Sequence, residues 1–356
     1  MLRLSLSPYN LQFAKPATTS RGALTQRSIL LLRAWDTEDP AVVGWGECGP
    51  IPGLSRDDIP DFAEEAAAIC GAINAGYTPT QADLAHLPSF AFGLDTALRD
   101  LARDGSHVLW DTAFTRGESS LPTHGLIWMD SPEGLLRQIE GKIAAGFTVI
   151  KMKVGALPLA RELELLALIR GSYSPGQIEL RLDANGAFAA DTALGTLEQF
   201  ARFDVAFLEQ PIAAGQWRLI GELCQLSPIP IALDEELIPV ADAETRRALL
   251  DTIRPQHLIV KPALLGGFTA AEAWIADAEA RGIQWWTNSL LESNIGLSAI
   301  CQWTAALTER HGSERIHGLG TGGLFTNNFP SPIRLAGSRL FYDKDLAWNL
   351  PSPPRA

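Results

Sequence analysis

Two rhythms of apolar and polar residues divide this chain. Near the start, Leu2, Leu4 and Leu6 alternate with polar residues, the period of a half-buried strand. The runs "SILLLRAWD" and "VVGWGE" predict two further strands, with a turn at Asp39-Pro40 between them. "IPDFAEEAAAICGAI" and "FGLDTALRDLARDG" follow with helical spacing, and the second stops at Gly105. Residues 1–115 therefore read as an α+β domain.

From about His124, strand-like and helix-like runs alternate. The strand candidates are "HGLIWM", "TVIKMKV", "IELRLDA", "VAFLEQ", "IPIALDE", "HLIVKPA", "IQWWTNS" and a weak "RIHGLG". Amphipathic stretches such as "PEGLLRQIEGKIAAG" and "GFTAAEAWIADAEARG" lie between them. Eight strands, each followed by a helix, predict an α/β fold, a (β/α) TIM-type barrel over residues 120–327. An open doubly wound sheet is the alternative, but no GxGxxG follows the first strand. "GLGTGG" at Gly318 to Gly323 closes the pattern with no strong helix behind it and reads as a tight loop near a ligand. Residues 328–356 break the rhythm and are expected to return to the N-terminal region, completing it as a capping domain.

Composition changes this picture little. The 356 residues are 46% hydrophobic and 20% charged, which suits a globular core and argues against disorder. A net charge of −12 disfavours nucleic acid and anionic membranes as partners. It also means that an anionic small-molecule substrate needs a local positive patch or a metal. The N-terminus lacks the apolar stretch of a signal peptide, "ILLL" is too short to span a bilayer, and a cytoplasmic protein is expected. Cys48, Cys70, Cys224 and Cys301 form no CxxC pair, so reduced thiols are expected. The ten tryptophans read as packing residues, with Trp285 and Trp286 the pair that could flank a site.

Candidate chemistry enters where charged residues end the strands. Lys151 and Lys153 close the second barrel strand and share a face, although two buried ammonium groups repel and each costs desolvation. Asp183, Glu209, Asp234 and Lys261 end the next four strands, 25 to 30 residues apart, about one βα unit per step. Ser289 and Glu292 follow the seventh strand. Active sites of such barrels lie at the C-terminal ends of the strands, so these groups are expected at one mouth. A single acid in that position is commonly a helix N-cap, and Glu235 and Glu236 read as first-turn acids. Three acids flanked by lysines are poorly explained by independent capping. Three close carboxylates call for a cation, and an all-oxygen set suits a hard ion. No histidine lies at these strand ends, and His257 begins its strand, which disfavours zinc and a histidine base.

Taken together, Lys-x-Lys, "LDAN", "LEQP", "LDEE" and "VKP" resemble the enolase superfamily, muconate-lactonizing subgroup. "GWGECGPIPGLS" resembles that subgroup's capping-domain signature. The resemblance runs through nearly the whole chain and implies a modified, enolase-like barrel. "RLDANG", "LLESNIGLSAICQW" and "GLGTGGLFTNNF" are most similar to the branch that dehydrates a succinyl-hydroxycyclohexadiene carboxylate in menaquinone synthesis.

The resemblance implies Mg²⁺, with Mn²⁺ as a substitute, on Asp183, Glu209 and Asp234. It implies Lys153 as general base and Lys261 as stabiliser of the intermediate across the mouth. Lys151, Arg181, Ser289, Gly318 and Gly320 would contact substrate. Arg181 has a competing reading as a barrel-interior arginine paired with an acid. A neutral Lys153 would be favoured by burial, by Lys151 beside it and by the metal. The polar loop at 15–28 would close over the mouth, or stand as a solvated hairpin.

Sibling reactions compete: N-acylamino acid racemisation, dipeptide epimerisation and muconate cycloisomerisation. Dipeptide epimerases of the subgroup carry an Asp-x-Asp pair after the eighth strand, where this chain has "HGLGTGG". A non-enzymatic metal-binding scaffold is the reading from a different class.

Overall fold

The computed structural model describes residues 1–19, 22–128 and 130–351. Strands β1 (Leu2–Thr19), β2 (Gly22–Asp36) and β3 (Val43–Cys48) form an antiparallel sheet in that order. β1 and β2 run much further than the alternating leucines predict. Most of the expected 15–28 loop is the far end of this hairpin, with a register shift between Gln12 and Ala17. Residues 20 and 21 of that stretch lie outside the described residues. Among the described residues the one ladder of β1 is with β2, beside a single bridge from Phe13 to Phe325, so Pro8 and Pro16 are tolerated on an edge strand.

Helices Phe62–Asn74 and Pro88–Leu101 cover the sheet. The glycines of "GWG" make this packing close. A Cβ at Gly46 would lie 1.9 Å from the Gly93 carbonyl oxygen, and one at Gly44 2.1 Å from that of Ala97.

β4 (Ser120–Pro122) precedes the barrel strands β5 (Gly125–Ile127), β6 (Val149–Lys153), β7 (Glu179–Asp183), β8 (Val205–Glu209), β9 (Ile231–Leu233), β10 (His257–Val260) and β11 (Gln284–Thr287). These seven strands form one sheet in sequence order, and its pairings are parallel. A right-handed helix follows each strand and packs on its outer face, as in Leu159–Ser172 after β6. The eighth position holds no strand among the described residues. There, His317 bridges Thr123 and Gly318 bridges Asn288, closing the circuit with isolated pairs. The weak "RIHGLG" pattern has too few apolar residues to sustain a ladder. Only a short 3₁₀ turn, Gly322–Leu324, follows it.

β12 (Ile333–Ala336) and β13 (Arg339–Tyr342) form a second antiparallel sheet with β4. The preceding segment lies along β1. Gln12 N donates to Asn327 Oδ1 at 2.8 Å, and the Phe13 and Phe325 rings are 4.6 Å apart. Phe92 carries the cap into the barrel core against Phe268, with ring centroids 5.3 Å apart. All four cysteines are free and buried. No helix among the described residues is long and apolar enough to cross a membrane.

Candidate active site

Alternation along β6 sends Lys151 and Lys153 into the barrel, while Ile150 and Met152 bury themselves in the outer core. The ladder sets Lys153 beside Asp183, and Asp183 beside Glu209, on adjacent strands. Lys151 Nζ lies 2.8 Å from Asp183 Oδ2 and 2.5 Å from Glu209 Oε2. Lys153 Nζ donates to Asp183 Oδ2 at 2.6 Å and to Asn185 Oδ1 at 2.7 Å. Lys261, from the end of β10, donates to Asp234 Oδ2.

The electrostatics follow from this crowding. Burial pushes the Asp183 carboxyl upward, but the charges of Lys151 and Lys153 outweigh it and hold it well below the usual carboxylate range. Glu209 is pushed well above that range, first by burial and then by the Asp183 charge. Burial disfavours the Lys151 ammonium, yet Asp183, Glu209 and Asp234 raise it above its ordinary value. Asp234 does the same for Lys261 against burial. Glu209 Oε2 is near Lys151 but outside hydrogen-bonding geometry, and neither of its oxygens has a hydrogen-bond donor.

Among the described residues, no three acids close on a common point as a ready-made metal site. Asp183 and Asp234 are instead turned onto ammonium groups. Even so, the donors are all carboxylate oxygens, buried at the ends of adjacent strands. That chemistry fits a hard divalent cation once the lysines yield their carboxylates.

Above these groups lies a cavity of about 280 Å³. The barrel lines it with Lys151, Lys153, Asp234, Lys261, Ser289 and Gly318, and the cap with Gly22 to Leu24, Ile51, Pro52 and Leu54. Arg181 does not line it. Its guanidinium turns to the barrel floor, where Nε donates to Glu179 Oε1 at 2.7 Å and Nη1 to the Ile316 carbonyl at 3.0 Å. It stacks over Phe207 and Trp286 there, 5.2 Å from each ring centre. Lys151, its partner in the ladder, reaches the cavity, but the Arg181 side chain turns the other way, onto an acid of the floor, as in the barrel-interior reading. Gly320 also points elsewhere, toward Thr123. Trp286 belongs to the floor and Trp285 packs against His311, so neither flanks the pocket.

Several site residues escape a search for charged strand ends. His124 lies before β5, yet it shares a face with Leu126 and Trp128 and lines the pocket. Its Nδ1 is buried without a partner, as is Oδ1 of Asn288, another lining residue. Asn185, at φ +46°, donates to Glu235 Oε1 at 2.9 Å while receiving Lys153. Glu235 therefore faces the pocket rather than acting as a plain first-turn acid. Glu236 is fully buried and accepts from Gly215 N at 2.8 Å and from Gln210 Nε2 at 3.1 Å. Gln210 Oε1 in turn accepts from the backbone N–H groups of Asp234 and Glu236. The second polar residue of "LEQP" thus anchors the strand end that carries Asp234.

A parallel barrel with a charged mouth and a sheet-and-helix cap defines an enolase-like enzyme. A family model described as enolase C-terminal domain-like matches residues 134–341, and a MenC N-terminal domain model matches residues 1–101. An o-succinylbenzoate synthase of Desulfotalea psychrophila (strain LSv54 / DSM 12343) is 40% identical, covering 95% of this chain and 98% of its own. The crystal structure of MenC from D. psychrophila LSv54 superposes with a TM-score of 0.81 at 37% identity, over 96% of this chain and 99% of that one. An L-Ala-D/L-Glu epimerase of Bacillus subtilis (strain 168) is 26% identical over 86% of this chain and 85% of its own. This chain belongs to the o-succinylbenzoate synthase (MenC) family of the enolase superfamily.

Proposed function

We propose that this chain is a Mg²⁺-dependent lyase that dehydrates 2-succinyl-6-hydroxy-2,4-cyclohexadiene-1-carboxylate to 2-succinylbenzoate in menaquinone synthesis. What carries the reading is the set of three acids and three lysines joined by ion pairs at one barrel mouth, the lysines and Asp234 lining the cavity, in a chain 40% identical to an o-succinylbenzoate synthase. Asp183, Glu209 and Asp234 would hold the metal. Bound there, the ion supplies positive charge beside the substrate carboxylate and acidifies the adjacent C–H.

Lys153 removes that proton as general base. Its side chain is more open to the cavity than that of Lys151, at 12% against 5% exposure. Lys151, kept charged by the acids around it, neutralises the substrate carboxylate. Lys261 stands at the end of β10, four strands from β6, and stabilises the negative charge that develops on the ring. The C–H and ring C–O bonds break, a ring double bond forms, and the 6-hydroxyl departs with a proton as water. No acid lies in His317 to Gly323, where an epimerase would hold a dipeptide ammonium group.

The test is dehydration of the cyclohexadiene substrate, followed by the ring's absorbance change, beside deuterium exchange of N-acylamino acids and dipeptides in D₂O. Turnover of the cyclohexadiene with Mg²⁺ is expected. Exchange of a dipeptide without dehydration would replace this reading with an epimerase.

A further inference from the structure

Arg27 lies on β2, 3% exposed, and its guanidinium joins walls of the pocket that belong to different parts of the chain. Nη1 donates to the Leu290 carbonyl, and Nη2 donates to the Gly49 carbonyl at 2.6 Å. Leu290 lies between Ser289 and Leu291 in the barrel loop that lines the cavity. Gly49 opens the segment that supplies Ile51, Pro52 and Leu54. β2 itself begins with Gly22, Ala23 and Leu24, which line the cavity from the hairpin.

The charge of Arg27 is answered from the same loop. Glu292 is 1% exposed, and its Oε2 accepts from Ser289 Oγ at 2.5 Å and from Leu290 N at 2.8 Å. Burial raises the Glu292 carboxyl and Arg27 opposes that rise. One residue on, Glu47 of β3 binds the start of helix Asn294–His311. It accepts from Ser293 N at 3.0 Å, from Ser293 Oγ at 2.5 Å and from Gly296 N at 3.3 Å. Ser293 Oγ also caps this helix at Ile295 N. A cap carboxylate thus holds a barrel helix by its positive end. Leu291, at φ +62°, is the strained residue of the loop held between the two attachments.

We propose that Arg27, with Glu292 and Glu47, forms a latch of positioning residues that sets substrate binding by fixing the Ser289–Leu291 loop against the cap. The latch lies behind the pocket wall and touches neither the lysines nor the three acids at the mouth. Its loss therefore acts on binding more than on chemistry, which separates it from a catalytic group. Lysine is a poor substitute, because one ammonium does not reproduce a planar fork aimed at two carbonyls.

The inference rests on the dehydratase reading for its kinetic arm. R27M leaves the buried Glu292 carboxylate uncompensated, so R27M/E292Q, which removes both charges, is made beside it. Expected for the double variant is a KM raised about tenfold or more with kcat within about threefold of wild type, and R27K intermediate between the two. A kcat loss that exceeds the KM rise overturns the latch. The second arm needs no substrate. Amide hydrogen exchange in the peptide containing Leu290 and Leu291 should speed up in R27K and in R27M/E292Q, more than in helix Leu159–Ser172. Unchanged exchange there overturns the latch, even if the wild-type enzyme dehydrates no cyclohexadiene. Failure of that dehydration alone, with faster loop exchange, removes the function and leaves the latch.

Discussion

Gly318 is the tightest point of the pocket, and Gly318→Ala should break it. A Cβ built there stands 2.2 Å from Asn288 Oδ1, 2.6 Å from its Cγ and 2.9 Å from His124 Cε1. The backbone cannot yield easily, because Gly318 closes the barrel. Its N–H donates to the Thr287 carbonyl at 2.9 Å, its carbonyl accepts from Ser289 N at 2.9 Å, and Asn288 N is held by the Val260 carbonyl at 3.0 Å. The Asn288 side chain must therefore swing, and the open direction is the cavity that it lines. Overpacking of this kind costs about 1–3 kcal/mol. We expect a fall of a few degrees in Tm, and kcat/KM reduced by roughly ten- to a hundredfold, because about 1.4 kcal/mol is a factor of ten.

Gly320→Ala is the matched control. Its Cβ would meet Thr123 Cγ2 at 3.5 Å, ordinary contact, and it faces away from the cavity. Asn288→Ala removes the atoms in the way, so Gly318→Ala/Asn288→Ala should recover part of the lost stability, a coupling of about 1 kcal/mol or more. The assays are thermal unfolding and kcat/KM on wild type and the four variants. If Gly318→Ala behaves like Gly320→Ala, or if the double variant shows no coupling, the steric reasoning is wrong.

Other outcomes follow from the site and its frame. Lys153→Ala should abolish turnover while leaving the melting curve and Mg²⁺ binding near wild type; measurable turnover would move the base elsewhere. Titrating Mg²⁺ into chelator-treated protein should raise Tm with the logarithm of concentration, and Glu209→Gln should flatten that response. His317 is fully buried and pushed down to about 3, first by burial, with Nδ1 accepting from Thr287 N at 3.1 Å. Its unfolded value is about 6.5, so the unfolded chain binds the proton that the fold refuses. Its contribution is complete above about pH 6.5 and is lost as pH falls toward 3, amounting to about 2 kcal/mol at pH 5. Denaturant melts of wild type and His317→Gln between pH 4.5 and 7.5 should converge at the acid end, and parallel curves would refute this.

The barrel was legible because a parallel strand buried on both faces is written as a short apolar run, and the five runs from β6 to β10 end in a charge. The same logic explains what was missed. The eighth position contributes only His317 and Gly318 to the circuit, too short for any period. β1 and β2 extend through "KPATT" and "GALTQRS", polar stretches with a proline, because an exposed two-stranded ribbon has little apolar face to show. Depth in the barrel was harder still. Arg181 and Asp183 share a face, but alternation alone does not say whether a long side chain turns to the floor or to the mouth. His124, Asn288 and Gln210 carry no charge at neutral pH, so nothing in a scan for charged strand ends marks them. What singles them out is burial without partners, or hydrogen bonds to backbone far along the chain.

At the lysine pair, a reading from spacing alone leaves the balance of charge incomplete. Lys151 and Lys153 do share a face, but their repulsion is not the dominant interaction at this mouth. Both ammonium groups approach one oxygen of Asp183, and Lys151 also faces Glu209. The net effect on Lys151 is to hold its proton more firmly, despite burial. A spacing of one residue thus serves two ends. It places both groups within reach of the same carboxylate, and it leaves Lys153 the more open of the two to the cavity that both line. With Glu235 counted, three lysines face four acids at this mouth, one negative charge in excess. A divalent cation added among them leaves the mouth positive, and an anionic substrate answers that charge in a chain whose net charge is −12. On the proposed reading, that local excess is what would draw the substrate carboxylate to the mouth against the field of the whole protein.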